Sequence, residues 1–392
     1  MHKTLLFLLL FLFTAINTSL AQKNTLSPEA SISVLTIGPG ASLNDSFGHN
    51  AFRIKDPLNN LDKTFDYGRF DFEAPNFYLN FARGKLNYSL GTSNYYDFLS
   101  FYVKQNRNVK EQVLNLSQEE KQRLYDFLVN NYKPENRGYL YDFFFDNCAT
   151  KIKDVANASL NNSIVFNTPE GHEEATFRTL IQNNLNRNSW GSLGIDICLG
   201  SVIDKKATAE EHMFLPENIY KFFGSALIKN NDTPLVKESR VLYSKKETPK
   251  PNTFFTSPLF ILGIIGGFIL LITYKDYKKN KQSIWLDATL FSITGIIGIL
   301  LLLLWFATDH KGTHQNYNLL WACALNIFVI RQLFRKKVSG WFIKYLKFLI
   351  ILLCLLTLHW VIGIQVFAIG LIPLLIALFI RYIYLISYYN NG

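Results

Sequence analysis

Tyr141-Asp142-Phe143-Phe144-Phe145-Asp146-Asn147-Cys148-Ala149-Thr150 is the stretch whose reading decides the fold and chemistry of this chain. An aromatic run ends at an asparagine, a favoured helix N-cap. Cys148 therefore falls in the first turn of a helix with Ile152, Val155 and Ala156 on one face. Unpaired backbone N–H groups and the helix dipole favour a thiolate there. The complementary stretch lies upstream, in Ser46-Phe47-Gly48-His49-Asn50-Ala51-Phe52-Arg53, where a histidine opens a strand just after a glycine. A thiol that transfers acyl groups needs a base, usually histidine, and a third group to orient the imidazole. Asp66, in Phe65-Asp66-Tyr67-Gly68 on the expected partner strand, is the choice for that group, with Asp71 and Asn50 as alternatives. The N–H groups at the helix start, including that of Cys148, are candidates to hold an oxyanion. A cysteine among aromatics is also commonly a small buried hydrophobe, and a histidine can simply cap a turn, so spacing alone leaves both roles open.

Working outward, residues 28–235 read as mixed α and β. Ser31 to Ile37 and Ala51 to Ile54 have strand character, and Asp56-Pro57 with Asn59-Asn60 marks a turn before Thr64 to Tyr67. Tyr88 to Leu90 adds a further strand. Ser117-x-x-Glu120 is a capping-box pattern, and Leu124, Phe127 and Leu128 follow at helical spacing, so 118–132 is predicted as a helix. The aromatics of Phe70 to Phe81 and Tyr95 to Tyr102 either line a membrane-facing side of the domain or fill its core. Cys198 reads as core, and His172 and His212 as surface. No pair of possible ligands has metal-site spacing, so neither zinc nor another cofactor is expected. Residues 236–257 read as a linker.

The two ends set the cellular context. Lys3, the apolar run Leu5 to Phe13 and Ser19-Leu20-Ala21 make 1–21 a signal peptide, with an uncleaved anchor as the alternative. Residues 22–235 are then an exported domain. From Pro258 the chain turns apolar, and five spans are predicted at 258–274, 284–306, 317–333, 343–360 and 363–382 within a membrane domain of 258–392. The last two are expected to form a tight hairpin. Lys275, Lys278, Lys279 and Lys281, and then Arg331, Arg335, Lys336, Lys337, Lys344 and Lys347, fall between spans so that both clusters face the cytoplasm by the positive-inside rule. This places 23–250 and the 307–316 loop outside the cytoplasmic membrane. The chain has 392 residues, a net charge of +10 and only 18% charged residues. Much of the excess charge sits in those two clusters, so it argues for a membrane and against nucleic acid. Four scattered cysteines exclude a disulfide framework.

Phe47-Gly48-His49-Asn50-Ala51-Phe52-Arg53, Asp66-Tyr67-Gly68-Arg69-Phe70-Asp71-Phe72, Phe81-Ala82-Arg83-Gly84-Lys85, Tyr139-Leu140-Tyr141-Asp142 and Asp146-Asn147-Cys148-Ala149-Thr150 together resemble the Lnb family, typical of Bacteroidetes. The resemblance covers roughly 30–230 and continues weakly into the tail. It implies an α+β periplasmic domain similar to circularly permuted papain-like and NlpC-like folds, in which histidine precedes cysteine, followed by an all-α membrane domain of about five helices. It also implies a lipoprotein N-acyltransferase with Cys148 as nucleophile, His49 as base and Asp66 as third member. On this reading a membrane phospholipid donates the acyl chain through a thioester, and the α-amine of a diacylglyceryl-cysteine lipoprotein accepts it.

Two other classes fit the same residues. One is a membrane-anchored cysteine peptidase or amidase acting on peptidoglycan peptides. The other is a non-enzymatic membrane assembly protein, for which Cys148 is dispensable. In the 307–316 loop and just beyond, Asp309, His310, Asn316 and Asn318 are candidates to meet a lipid headgroup or the substrate amine, with a solvated loop as the alternative.

Overall fold

The computed structural model describes residues 25–229, 232–247, 249, 253–335 and 337–391. The predicted signal peptide, 1–21, lies outside them.

The α+β domain is built around β1 (Ser31–Ile37). Ile32 and Val34 face one core, and Leu35 and Ile37 face another. A strand buried on both faces reads as a near-continuous apolar run and belongs inside a sheet. After it come β2 (His49–Asp56), β3 (Leu61–Arg69), α1 (Phe77–Ala82), β4 (Leu86–Asn94), α2 (Tyr95–Lys104) and β5 (Val109–Leu114). The chain continues with α3 (Gln118–Asn131), β6 (Gly138–Tyr141), α4 (Cys148–Ser159), β7 (Ile164–Val165), α5 (Phe177–Gln182), α6 (Trp190–Cys198) and α7 (Pro216–Ser225). Then follow β8 (Leu227–Ile228), β9 (Thr233–Pro234) and β10 (Val236–Tyr243). A seven-stranded antiparallel sheet runs β10-β5-β1-β2-β3-β4-β6, and β7-β8-β9 form a small second sheet. Leu124 and Leu128 of α3, Ile152 and Val155 of α4, and Ile219 and Phe223 of α7 share one core with Ile32 and Val34. Phe98 and Tyr102 of α2 share the other with Leu35 and Ile37. The predicted capping box is present, with Glu120 N donating to Ser117 Oγ and Ser117 N to the Glu120 carboxylate.

The stretch read as a linker from 236 begins instead as an edge strand. Val236 and Val241 are interspersed with Lys237, Glu238 and Arg240, and Arg240 pairs with Glu111 across β5. Charge on an edge strand blocks further strand addition, which is why the segment resembles a polar linker.

The helical part comprises α8 (Pro258–Lys279), α9 (Ile284–Phe306), α10 (Asn326–Val329), α11 (Gly340–Val361) and α12 (Ile372–Asn391). Among the described residues four helices are long and apolar enough to cross a membrane: 258–279, 284–306, 340–361 and 369–390. The third expected span, 317–333, is not a continuous helix. It consists of 3-10 turns at Tyr317–Leu320 and Ile330–Phe334 around the single turn of α10. Even so, it runs back along α9. Thr313 Oγ1 donates to Leu304 O at 2.7 Å, Ala322 sits against Gly298, and Asn326 Nδ2 donates to Thr294 Oγ1 at 2.7 Å. A Cβ on Gly298 would collide with the Ala322 carbonyl, so only glycine admits this approach. Asn318, Asn326 and Gln332 are buried along the pass. Irregular backbone survives at membrane depth only where protein surrounds it. The expected tight hairpin between the last two spans is also longer, because 362–371 turns outward and carries Gln365 to the α+β domain.

Candidate active site

Asn147 builds the nucleophile's helix end. Its Oδ1 accepts from Ala149 N at 2.8 Å and Thr150 N at 3.0 Å, while Asn147 N donates to Thr150 Oγ1 at 2.8 Å. Its Nδ2 donates to Phe143 O and Phe214 O, which fixes the turn leading into α4. The cap consumes the next two N–H groups and leaves that of Cys148 outside it. The expected oxyanion site therefore narrows to the N–H of Cys148.

His49 opens β2 and Asp66 lies on β3, so the sheet brings them together. His49 Nε2 and Asp66 Oδ2 are 3.3 Å apart. This leaves Nδ1 for Cys148, and the two side chains are close enough that each shifts the other's pKa. The Asn50 N–H also lowers the Cys148 pKa. The Asn50 side chain points elsewhere, donating to Leu35 O and to Thr36 Oγ1 at 2.9 Å, so only its backbone serves the site. Asp71 is exposed in the turn after β3, accepting from Glu73 N at 2.9 Å. Of the three candidates for the third member, the structure joins Asp66 to His49.

Arg69 is the site residue that sequence reasoning missed. Its Nε lies 3.1 Å from both Asp66 oxygens and its Nη2 2.5 Å from Oδ1. Residues three apart on a regular strand face opposite sides. Here the β3–β4 register shifts between Asp66 and Arg69, and Gly68 at φ +99° supplies the bulge that returns Arg69 to the same face. The Asp-Tyr-Gly-Arg string carried this signal, since a glycine inside a strand marks a bulge.

The electrostatics favour an ion pair. Burial works against a charged His49, but Tyr102, Cys148 and Asp66 outweigh it and raise its pKa well above the usual histidine value. Burial also opposes a Cys148 thiolate, yet His49 and the Asn50 N–H hold its pKa below the ordinary thiol range. Asp66 is partly desolvated, but its bonds to His49 and Arg69 keep it a carboxylate. Tyr102 stacks obliquely on His49 at 6.2 Å, and burial raises its own pKa. Tyr141, in the strand leading to Cys148, stacks on Tyr88 at 4.4 Å.

The expected headgroup residues divide. Asp309 is exposed beside Lys85, and His310 Nε2 lies 2.9 Å from Phe81 O. Asn316 and Asn318 are buried instead of surface residues. Asn316 donates to Ile197 O and Cys198 O, and Asn318 to Asp196 O, so their amides fasten α6 to the helical part. Cys198 is exposed, whereas His212 is buried with its ring 4.5 Å from that of His172. Among the described residues no three His, Cys, Asp or Glu side chains are gathered as a metal site.

A family model of the Lnb N-terminal periplasmic domain matches residues 18–183, which include His49, Asp66 and Cys148. A second, of the Lnb transmembrane domain, matches 250–391. No curated protein and no solved structure matches the chain. With both domains matched in order across most of its length, the chain belongs to the Lnb family, in which a periplasmic domain is joined to a transmembrane one.

Proposed function

We propose that this protein is a lipoprotein N-acyltransferase of the cytoplasmic membrane, with its α+β domain in the periplasm. The observation that carries the reading is a Cys148–His49–Asp66 array on a domain that rests on the 307–316 loop. Gly200 N donates to Gly312 O at 2.9 Å, and Lys311 lies 3.4 Å from Asp142, close to the nucleophile in sequence. The Lys and Arg clusters around 275–281 and 331–347 sit at the opposite end of the helices, as the positive-inside rule requires of a cytoplasmic face.

The Cys148 thiolate attacks the carbonyl carbon of a phospholipid acyl ester. The N–H of Cys148 stabilises the oxyanion. As the tetrahedral intermediate collapses, the glycerol oxygen leaves with the His49 proton, giving a lysophospholipid and a Cys148 thioester. The α-amine of a diacylglyceryl-cysteine then attacks. His49 takes the amine proton, the thiolate departs, and the lipoprotein carries a new amide. A thioester suits this step because it is more reactive towards amines than the parent ester. Asp66 holds the imidazole ring in place, with Arg69 fixing Asp66.

Purified protein given a phospholipid with isotope-labelled acyl chains is expected to gain an acyl mass on the Cys148 peptide. Neutral hydroxylamine should remove it, and Cys148→Ala should never acquire it. Labelled lipid turned over with no thioester on Cys148 would reject the mechanism.

A further inference from the structure

α1 (Phe77–Ala82) buries none of its residues against the protein. Tyr78 is 74% exposed, Phe72 55%, Leu79 54% and Phe81 50%. A helix this short does not persist in water by itself, and an apolar patch of this kind marks an interaction surface. The patch joins two places already described. Rings step from Tyr141, in the strand leading to Cys148, to Tyr88 at 4.4 Å, Phe70 at 5.0 Å, Phe77 at 6.0 Å and Phe81 at 6.4 Å. The far end is pinned to the loop leaving α9. His310 Nε2 meets Phe81 O at 2.9 Å, and Asp309 N donates to Arg83 O at 2.9 Å. At the end of α9, Trp305 and Phe306 stack at 4.8 Å, and Phe306 is exposed. Aromatics at the end of an apolar span mark the membrane–water interface. α1 is therefore tethered at interface level with its apolar side chains uncovered.

We propose that α1 and the Phe70–Phe72 turn insert into the leaflet on the side of the α+β domain. Their aromatic path guides an acyl chain from the bilayer to Cys148. The guiding role rests on the acyl-transfer reading, whereas the insertion itself rests on geometry alone.

Photo-crosslinking tests it. p-Benzoylphenylalanine is placed singly at Phe72, Tyr78, Leu58 and Ile264 in the full chain carrying Cys148→Ala, in nanodiscs of phosphatidylethanolamine and phosphatidylglycerol. Leu58 is exposed at the turn between β2 and β3, at the far end of β2 from His49, and Ile264 is exposed on α8. The expected result is a phospholipid-mass adduct at 72, 78 and 264 and none at 58. Lipid adducts at 264 but not at 72 or 78 would overturn the proposal. So would adducts at 72 and 78 that join two copies of the chain. Because the cysteine is absent, a failed thioester experiment would leave this result standing, and a failed crosslink would leave the thiol chemistry standing.

Discussion

Cys148, His49, Asp66 and Arg69 act as one electrostatic unit, and its behaviour with pH follows from their mutual shifts. His49 is raised and Cys148 lowered, so the thiolate–imidazolium pair persists between the lowered thiol pKa and the raised histidine pKa. Below the first the sulfur protonates, and above the second the imidazolium is lost. Iodoacetamide alkylation of Cys148 should thus retain its rate at pH values below the usual thiol range. In His49→Ala the acid limb should move up towards that range, since the partner that stabilises the thiolate is gone. An unmoved limb would separate His49 from the thiol. His49→Ala should also slow acyl transfer by about 10²–10⁴-fold, the usual contribution of a general base. In Asp66→Asn the alkaline limb of acyl transfer, where the His49 proton needed by the leaving oxygen is lost, should shift down, because Asp66 supports the imidazolium. Cys148 and His49 were legible as candidates because caps and glycine-to-strand transitions are written locally. Arg69 was not, because its place depends on a bulge that appears only once β3 pairs with β4.

The elements show the same division. β1, α3 and the start of α4 were readable from strand-forming residues, a capping box and an asparagine cap. Asn147→Ala removes that cap along with the bonds to Phe143 and Phe214. Cap removal typically costs about 0.5–2 kcal/mol, and the value here should lie at the upper end. Chemical denaturation of the purified protein would measure it, and an unchanged midpoint would show that the cap contributes nothing. The pass through 317–334 was not readable as broken. Its composition suits a span, and its irregularity arises from partners elsewhere in the chain, such as Asn326 on Thr294 and Tyr345 on Asn326. β10 was hidden for a related reason, since edge strands carry the charges of a linker.

Across the whole molecule, two buried polar clusters tie the parts together, and neither was seen in the sequence. Arg178 bonds Asp196 and Asp204, while Asn316, Asn318 and Gln365 reach the carbonyls of 196–199. Asn318→Leu leaves the Asp196 carbonyl without that donor and the buried Trp321 N–H without its acceptor, at about 1–3 kcal/mol. Hydrogen exchange at 196–201 should speed up in that variant, and equal protection would show that the clasp is idle. At the opposite end, Arg381 Nε lies 2.6 Å from Asp287 Oδ1 and its Nη1 2.9 Å from Asp276 Oδ2, all three buried. Arg381→Leu strands two carboxylates and should lower stability by about 3–5 kcal/mol, read as loss of folded protein on heating in detergent. The family was legible because its motifs are short and ordered. The docking of the two domains was not, because it depends on amide side chains spread across the chain.

The most direct measurement is mass spectrometry of a lipoprotein's N-terminal peptide. It would use cells in which this protein, or Cys148→Ala at equal level, is the only candidate acyltransferase. The account predicts an amide-linked third chain with the wild type and a free α-amine with the variant. A triacylated N-terminus in both would contradict it.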